Sequence, residues 1–274
     1  MEIGQKTTQK ISKSGFNINK FSLAIHVNFN WIVFCLFDNY SLKEVNKISF
    51  LKKNKPSYLL KCVKKFIKTF SNNELPNEVK IIYYTGTSTL VPSALFDKKN
   101  SLNYLKYNSS IKLNDISAND NILNDEINNL YIPDLEINNF IFEKFKAFDF
   151  FHYSSLIIDR FSNELIDKYS ENLFLNINDN FVDILYFKDN KLIFYNAFDY
   201  ESPEDILYYL LFCLSQLNLD VEKTHVLCYG DINLDYKLYN LLYTYIRNIE
   251  LIDSEEVDGV DNNILRSNIL LSKF

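Results

Sequence analysis

The sequence predicts a mixed α/β fold in which one β-β-β-α-β unit occurs twice. Residues 22–40 and 172–190 are both rich in β-forming side chains, and they align at a constant offset of 150 residues. Four residues of the first stretch recur in the second: Leu23, Asn28, Asn30 and Phe37 return as Leu173, Asn178, Asn180 and Phe187. A proline, a helical apolar pattern and a β-rich run ending in glycine follow each stretch. Because this repeat is too long for a solenoid unit, we predict two similar subdomains.

Three consecutive β-rich runs open the first copy, at residues 21–29, 31–38 and 44–51. The first two runs predict a hairpin that turns at Asn28–Asn30. A helix is predicted over residues 57–70, because apolar side chains recur on one face at helical spacing and lysines occupy the other. This lysine-rich face is interpreted as solvated. A fourth strand over residues 79–84 is expected to close at Gly86.

The second copy repeats this order, with β-rich runs at residues 172–178, 181–188 and 192–198. The first two again predict a hairpin, which turns at Asn178–Asn180. Ser202 and Pro203 indicate the start of a helix that runs to about residue 217, since serine caps helix N-termini and proline fits the first turn. The remaining elements are a fourth strand, a helix and a short strand, at residues 225–229, 235–247 and 250–252.

The predicted organisation has a flexible N-terminus and two subdomains, at residues 1–19, 20–150 and 151–274. Between the copies, residues 93–107 and 139–168 have helical patterns. Residues 108–138 are rich in Asn and Asp with weak periodicity, so we predict a variable acidic surface excursion there. The wider acidic segment 113–143 is interpreted as solvated surface.

Composition excludes several classes of function. The net charge is −6 and no dense basic stripe is present, which argues against a nucleic-acid partner. The four cysteines are far apart and show no zinc-ligand spacing, so we expect buried free thiols in a reducing cytoplasm. The N-terminus is polar, and the longest apolar stretch, residues 206–214, is too short to span a bilayer. The sequence therefore predicts a cytoplasmic protein without membrane insertion.

A β-β-β-α-β order given twice is the layout of tandem ribonuclease-H-like units, and it resembles the actin-like ATPase superfamily. More narrowly, the Thr89–Phe96 segment, the helix pattern after it, and Phe151 with His152 resemble a bacterial family named domain of unknown function 3822. The resemblance covers about residues 20–274. It implies an actin-like fold and no established activity.

The resemblance also implies where nucleotide would bind. In active members of the superfamily each hairpin turn holds phosphates with an Asp-x-Gly pattern, whose glycine lets the backbone approach. Here the turns contain Asn28 and Asn30 in the first copy, and Asn178, Asp179 and Asn180 in the second. Neither turn has a glycine. The adenosine-side turn would lie at Gly230 and Asp231, where the family pattern has paired glycines.

Two other enzyme classes have weaker support. A ribonuclease-H-like nuclease would need converging carboxylates, and the second copy offers four candidates: Asp179, Asp183, Asp199 and Asp231. Its first strand carries no acid, so we interpret these as turn and surface residues. His152 lies beside Ser154 and Ser155, but no G-x-S-x-G elbow is present. The other two histidines, His26 and His225, fall within strands and are interpreted as structural.

The sequence therefore predicts an actin-like protein with no catalytic residues, no metal and no cofactor. Its expected role is that of a cytoplasmic scaffold or adaptor for an unidentified protein partner. The alternative is a nucleotide-binding protein or ATPase with unorthodox phosphate-binding turns, which would use ATP and Mg²⁺. The sequence predicts no oligomeric state.

Overall fold

The computed structural model describes residues 5–10, 21–50, 53–70, 75–84, 88–107, 110–164, 171–232, 237–252 and 270. The chain divides into two compact units between Asp159 and Arg160. We call them the first and the second unit. The subdomain boundary predicted near residue 150 precedes this division.

The first unit contains nine strands and three helices among the described residues before the division. The strands are β1 Gln5–Lys10, β2 Ser22–Asn28, β3 Trp31–Asp38, β4 Ser41–Ser49, β5 Glu78–Tyr84, β6 Ser88–Pro92, β7 Ala118–Ile122, β8 Ile127–Tyr131 and β9 Asp149–His152. The helices are α1 Pro56–Ile67, α2 Ser101–Leu105 and α3 Leu135–Phe145. A further helix, α4 Tyr153–Glu164, contains the division.

The main sheet of the first unit has the strand order β1-β4-β3-β2-β5-β9. Strands β2 and β3 form the predicted hairpin, with Val27 opposite Ile32. Strands β5 and β9 run parallel to β2. One face of this sheet is covered by α1 and α3, whose buried residues include Leu59, Val63 and Ile137. The lysines of α1 lie on the opposite side of the helix, which agrees with the amphipathic prediction.

The second unit contains five strands and two helices, in the order β10 Glu171–Ile177, β11 Phe181–Lys188, β12 Lys191–Asp199, α5 Pro203–Gln216, β13 His225–Gly230, α6 Lys237–Tyr245 and β14 Asn248–Leu251. The sheet order is β12-β11-β10-β13-β14. Helix α5 begins as predicted, because Ser202 and Asp205 form a reciprocal capping box and Pro203 occupies the first turn. Its residues Leu210 and Leu214 are buried against the sheet.

The duplicated β-β-β-α-β unit is confirmed. The similarity of the two copies includes irregular features of the backbone. The register of the pair β3 and β4 shifts between Leu36 and Phe37. The register of the equivalent pair in the second unit, β11 and β12, shifts between Tyr186 and Phe187. The tight turns that follow have positive φ at two consecutive residues in each unit: Asn39 and Tyr40, then Asp189 and Asn190. The two sheets also share the order third, second, first, fourth strand.

The prediction of a flexible N-terminus over residues 1–19 is wrong for its central part. Gln5–Lys10 forms β1, which pairs antiparallel with β4 from Gln5 opposite Ser49 to Lys10 opposite Glu44. A polar segment can form such a strand because an edge strand offers backbone N–H and C=O groups that require no apolar side chains. Residues 1–4 and 11–19 lie outside the described residues, as does Gly86.

The prediction of a variable acidic surface excursion over residues 108–138 missed two strands and the start of a helix. Strands β7 and β8 form a hairpin, and β6 pairs with β8 to complete a three-stranded antiparallel sheet. Leu130 and Tyr131 are fully buried. The Asn-rich sequence concealed this hairpin because asparagine is typical of turns.

The helical prediction for residues 139–168 missed a strand. Asp149–His152 forms β9, which separates α3 from α4 and pairs with β5. Residues 93–107 contain only short 3₁₀ turns and the five-residue helix α2 instead of one continuous helix.

Candidate functional site

The backbone groups of the hairpin turn of the first unit form hydrogen bonds within the turn and with the chain that follows β4. The Asn30 amide donates to Asn28 Oδ1 at 2.8 Å, and the Asn30 carbonyl accepts from the Phe50 amide at 2.7 Å. The Phe29 carbonyl accepts from the Asn54 amide at 2.7 Å. The Asn28 side chain is buried, with its Nδ2 3.4 Å from the Tyr84 carbonyl oxygen. The Asn28 side chain therefore stabilises this turn by accepting a hydrogen bond from the Asn30 amide.

The hairpin turn of the second unit is closed in a similar way. The Asn178 amide donates to the Phe181 carbonyl at 2.9 Å, and the Asn178 carbonyl accepts from the Tyr200 hydroxyl at 2.5 Å. The Tyr200 amide donates to the Asn180 carbonyl at 3.3 Å. Tyr200, which the sequence did not single out, thus bonds to the turn through both its main chain and its side chain.

Asp183 is a buried structural carboxylate, which corrects its interpretation as a turn or surface residue. It lies in the middle of β11 with no solvent exposure. Its oxygens accept hydrogen bonds from Asn176 Nδ2 at 2.9 Å, Asn178 Nδ2 at 3.0 Å and the Tyr195 hydroxyl at 3.0 Å. Buried carboxylates require such donors. Asp183 therefore fixes the Asn178 side chain and, through it, the turn.

Gly230 and Asp231 lie beside this turn, at the end of β13. Gly230 has φ +91°, and a Cβ at this position would stand 2.0 Å from the Ile177 carbonyl oxygen. The Asp231 amide donates to that same oxygen at 2.9 Å. Because Ile177 immediately precedes Asn178, the structure brings both predicted positions of the second unit together. Glycine is required here by the close approach of two backbones.

Two carboxylates act on the Tyr200 hydroxyl at this end of the second sheet. Burial, together with the charges of Asp231 and Asp179, raises the pKa of Tyr200 to about 12. A hydroxyl with so high a pKa remains neutral and serves as a donor, as its bond to the Asn178 carbonyl shows. Carboxylates around the turn disfavour a phosphate anion unless a cation is bound between them.

A second polar cluster lies in the first unit around Asp120. Its carboxylate accepts from the Ser155 hydroxyl at 2.5 Å, the Tyr131 hydroxyl at 2.9 Å and the His152 amide at 2.8 Å. Burial raises the pKa of Asp120, and these hydrogen bonds oppose the increase. Sequence reasoning did not single out Asp120, since this residue lies in the segment predicted to be a surface excursion.

The geometry of this cluster does not fit a Ser-His-Asp relay. Ser154 contacts His152 Nδ1 through its hydroxyl at 2.7 Å and through its amide at 3.2 Å. Asp120 contacts His152 through the main-chain amide of the histidine, at 2.8 Å. Asn129 Nδ2 donates to the hydroxyl oxygens of both Ser154 and Ser155. All of these side chains except Asp120 are buried, which is typical of a structural network.

A cavity of about 440 Å³ opens beside the hairpin turn of the first unit. It lies where the turn, the start of α1 and the start of α3 meet the segment around residues 110–116. Its apolar lining includes Val27, Phe29, Pro56, Leu59, Ile116, Ile132, Pro133 and Leu135. Its charged lining consists of Asp115, Asp134, Glu136 and Lys112, so acids outnumber the base. Sequence reasoning missed this cavity because its walls come from five separate segments.

Asp134 also has a structural role in that cavity wall. Its carboxylate accepts from the Glu136 amide at 3.0 Å and the Ile137 amide at 3.1 Å, and so caps α3. Burial raises its pKa, while these two bonds lower it. The Tyr83 hydroxyl donates to Asn138 Oδ1 at 2.7 Å on the adjacent wall.

Within the described ranges, no three His, Cys, Asp or Glu side chains are grouped closely enough to hold a metal ion. No helix in the described part of the chain is long and apolar enough to cross a membrane.

Two units that each contain a β-β-β-α-β sheet, with a hairpin turn between its first two strands, define the actin-like ATPase fold. Among solved structures, a Bacteroides thetaiotaomicron protein with this fold and unknown function has a TM-score of 0.71 at 19% identity. The alignment covers 93% of this chain and 96% of that one. The chain itself belongs to the family described as "Protein of unknown function (DUF3822)", whose model matches residues 10–249.

A second similar structure is the PilM-PilN type IV pilus biogenesis complex, with a TM-score of 0.56 at 10% identity. The alignment covers 92% of this chain and 96% of the other chain. No curated protein matches this sequence. At these identities the structural matches establish the fold alone.

Proposed function

We propose that this chain is an actin-like adaptor that binds a segment of another protein and does not hydrolyse ATP. The observation that carries the proposal is the internal closure of both hairpin turns. In the first turn the Asn30 amide donates to Asn28 Oδ1, and in the second the Asn178 amide donates to the Phe181 carbonyl, so both of these N–H groups are already bonded within the protein. A triphosphate needs backbone donors and a bound cation at such turns.

The second turn also opposes phosphate through its charge. Asp179 and Asp231 both act on Tyr200, which places two carboxylates near the same hydroxyl. Asn180 occupies the position where a glycine would let phosphate approach the main chain. Both features favour a protein that retains the actin-like architecture without its nucleotide chemistry.

The cavity of the first unit supplies a surface for a partner. Its floor is apolar and its charged groups are mainly acidic, which suits an apolar protein segment that carries a lysine or arginine. A structural neighbour with this fold is known in complex with a second protein, as its name PilM-PilN states. That likeness is one of fold, and it supports the adaptor role only by analogy.

Nucleotide binding is the first expected result to test. Isothermal titration of Mg-ATP into the full chain should give no saturable heat, and a phosphate-release assay should show no turnover above background. The reason is the internally bonded, acidic turn at Asn178–Asn180. Micromolar binding that is lost in Asp179→Ala, together with turnover, would support the alternative of an ATPase with unorthodox turns.

Partner binding at the cavity provides the second expected result. Ile116 lines the cavity with 60% of its surface exposed, whereas Leu113 is fully exposed in the same segment and does not line it. In quantitative affinity capture from the native cell, Ile116→Asp should lose a protein that the unaltered chain enriches. Leu113→Asp should retain that protein. Equal capture by both variants would contradict binding at this cavity.

A further inference from the structure

The two sheets differ at one edge. In the first unit the outer side of β4 is covered by β1, which pairs with residues Glu44–Ser49. The equivalent strand of the second unit, β12, ends the sheet order β12-β11-β10-β13-β14. Along β12 the side chains of Lys191, Ile193, Asn196, Ala197 and Asp199 are exposed. Within the described residues, the second unit therefore has an uncovered sheet edge where the first unit has a paired one.

The backbone of β12 is oriented for pairing on its outer side. Because the Tyr200 amide bonds to Asn180 of the neighbouring turn, the alternation of an antiparallel ladder turns the N–H and C=O of Ala197 and Tyr195 away from β11. The Ala197 amide accordingly donates to the side chain of Asn196 at 2.9 Å rather than to a strand. An edge of this kind pairs readily with another strand.

The sequence of β12 is self-complementary about Asn196. If two copies pair antiparallel with Asn196 opposite Asn196, Phe194 lies opposite Phe198 and Tyr195 lies opposite Ala197. Tyr195 and Ala197 are the residues whose main chains face outward, so each pair can exchange two hydrogen bonds. The strand begins at Lys191 and is followed by Glu201, so an antiparallel copy brings unlike charges together at both ends.

An exposed aromatic surface lies beside this edge. Tyr209 of α5 stacks on Phe198 of β12 with ring centroids 4.5 Å apart. Tyr208 contacts Tyr209, and Phe212 stacks on Tyr208 at 6.2 Å. Tyr208 is 62% exposed and Phe212 is 47% exposed. When two sheets join through their edges, helices on the same face approach across the junction, which would remove these rings from water.

We propose that the chain forms a two-fold symmetric dimer in which β12 of one copy pairs antiparallel with β12 of a second copy. The two five-stranded sheets then become one continuous ten-stranded sheet, and the aromatic side chains of α5 line the junction. The interface is isologous, so every substitution in it acts twice. This dimer is independent of the cavity in the first unit.

The test uses the full chain and two variants of opposite charge. Sedimentation equilibrium should show a concentration-dependent dimer for the unaltered chain. Asn196→Lys and Asn196→Glu should each weaken self-association about tenfold or more, because like charges then face each other across the two-fold axis. An equimolar mixture of the two variants should restore dimerisation, since Lys then faces Glu.

The matched controls are Asn240→Lys and Asn240→Glu, at an exposed asparagine of α6. Neither control nor their mixture should change the dimer. A chain that stays monomeric at its highest soluble concentration overturns the proposal. So does a dimer that persists in both Asn196 variants, or a mixture of those variants that fails to associate.

Discussion

Replacing Gly230 with alanine is expected to lower the free energy of unfolding by about 3–5 kcal/mol, the combined cost of a strained backbone and overpacking. The new Cβ would stand 2.0 Å from the Ile177 carbonyl oxygen and 2.8 Å from its carbonyl carbon. Neither atom can move away without breaking the bond that the Asp231 amide makes to the same oxygen. Chemical denaturation of the purified variant and the unaltered chain measures the loss.

Asp231→Ala is the control for that experiment. It retains the backbone N–H that bonds to Ile177, so its unfolding free energy should fall by less than that of Gly230→Ala. Equal losses in the two variants would show that the turn depends on the carboxylate, and would contradict the role of close backbone approach. Comparing the two variants also distinguishes the structural role of Gly230 from that of Asp231, the two residues predicted for the adenosine-side turn.

Acid should destabilise the protein through His26. Burial lowers the pKa of His26 to about 3, and its Nδ1 lies 3.0 Å from the Tyr84 hydroxyl. The imidazole is neutral in both states above pH 6.5, its ordinary pKa. As pH falls from 6.5 towards 3, the unfolded state takes up the proton first, so the stability contributed by the neutral ring is lost. The full loss is about 4–5 kcal/mol.

The measurement is the dependence of unfolding free energy on pH between 7 and 4. His26→Asn keeps an acceptor near the position of Nδ1 and does not titrate, so its curve should lie lower at neutral pH and fall less steeply. Val27→Ala, a buried neighbour on β2, should lower the curve without altering its slope. Burial raises the pKa values of Asp120 and Asp159, which act in the opposite direction, so only the difference between curves reports on His26. Parallel curves for His26→Asn and the unaltered chain would contradict the prediction.

The repeated hairpins and helices were predictable because their signals are local. Runs rich in β-forming residues predicted β2, β3, β10 and β11. Ser202 and Pro203 predicted the start of α5. Serine caps the helix N-terminus and proline fits its first turn, so the signal lies within four residues of the chain. The third strands begin earlier than predicted, at Ser41 and Lys191, because the tight turns before them use positive φ at Asn39 and Asp189 rather than glycine.

The missed strands depend on partners that are distant in sequence. Strand β1 is polar and is defined by its pairing with β4, and β9 is four residues long and is defined by its pairing with β5. In β8, Asn128 and Asn129 are buried, yet asparagine alone predicts a turn. No local pattern carries this information, because the backbone of one segment determines the conformation of another.

The candidate turns were found by spacing, but their chemistry was only partly predictable. The sequence located Asn28–Asn30 and Asn178–Asn180 correctly between paired strands. It could not show that Asp183 is buried, because three donors from β10, the turn and β12 make that burial tolerable. The cavity near Ile116 could not be predicted from the sequence either, because its lining residues come from distant segments that meet only after folding.

The register slips fall at equivalent positions in the two units. Over residues 22–40 and 172–190 only four aligned side chains are the same, yet the slip falls before the shared Phe37 and Phe187 in both. Both phenylalanines are fully buried, and both slips lead into turns with two positive φ values. Inserting a residue into a paired strand redirects every side chain beyond it, so such a feature is hard to gain or lose by single substitutions. Irregular backbone can therefore outlast sequence identity as evidence that two halves of a protein descend from one gene segment.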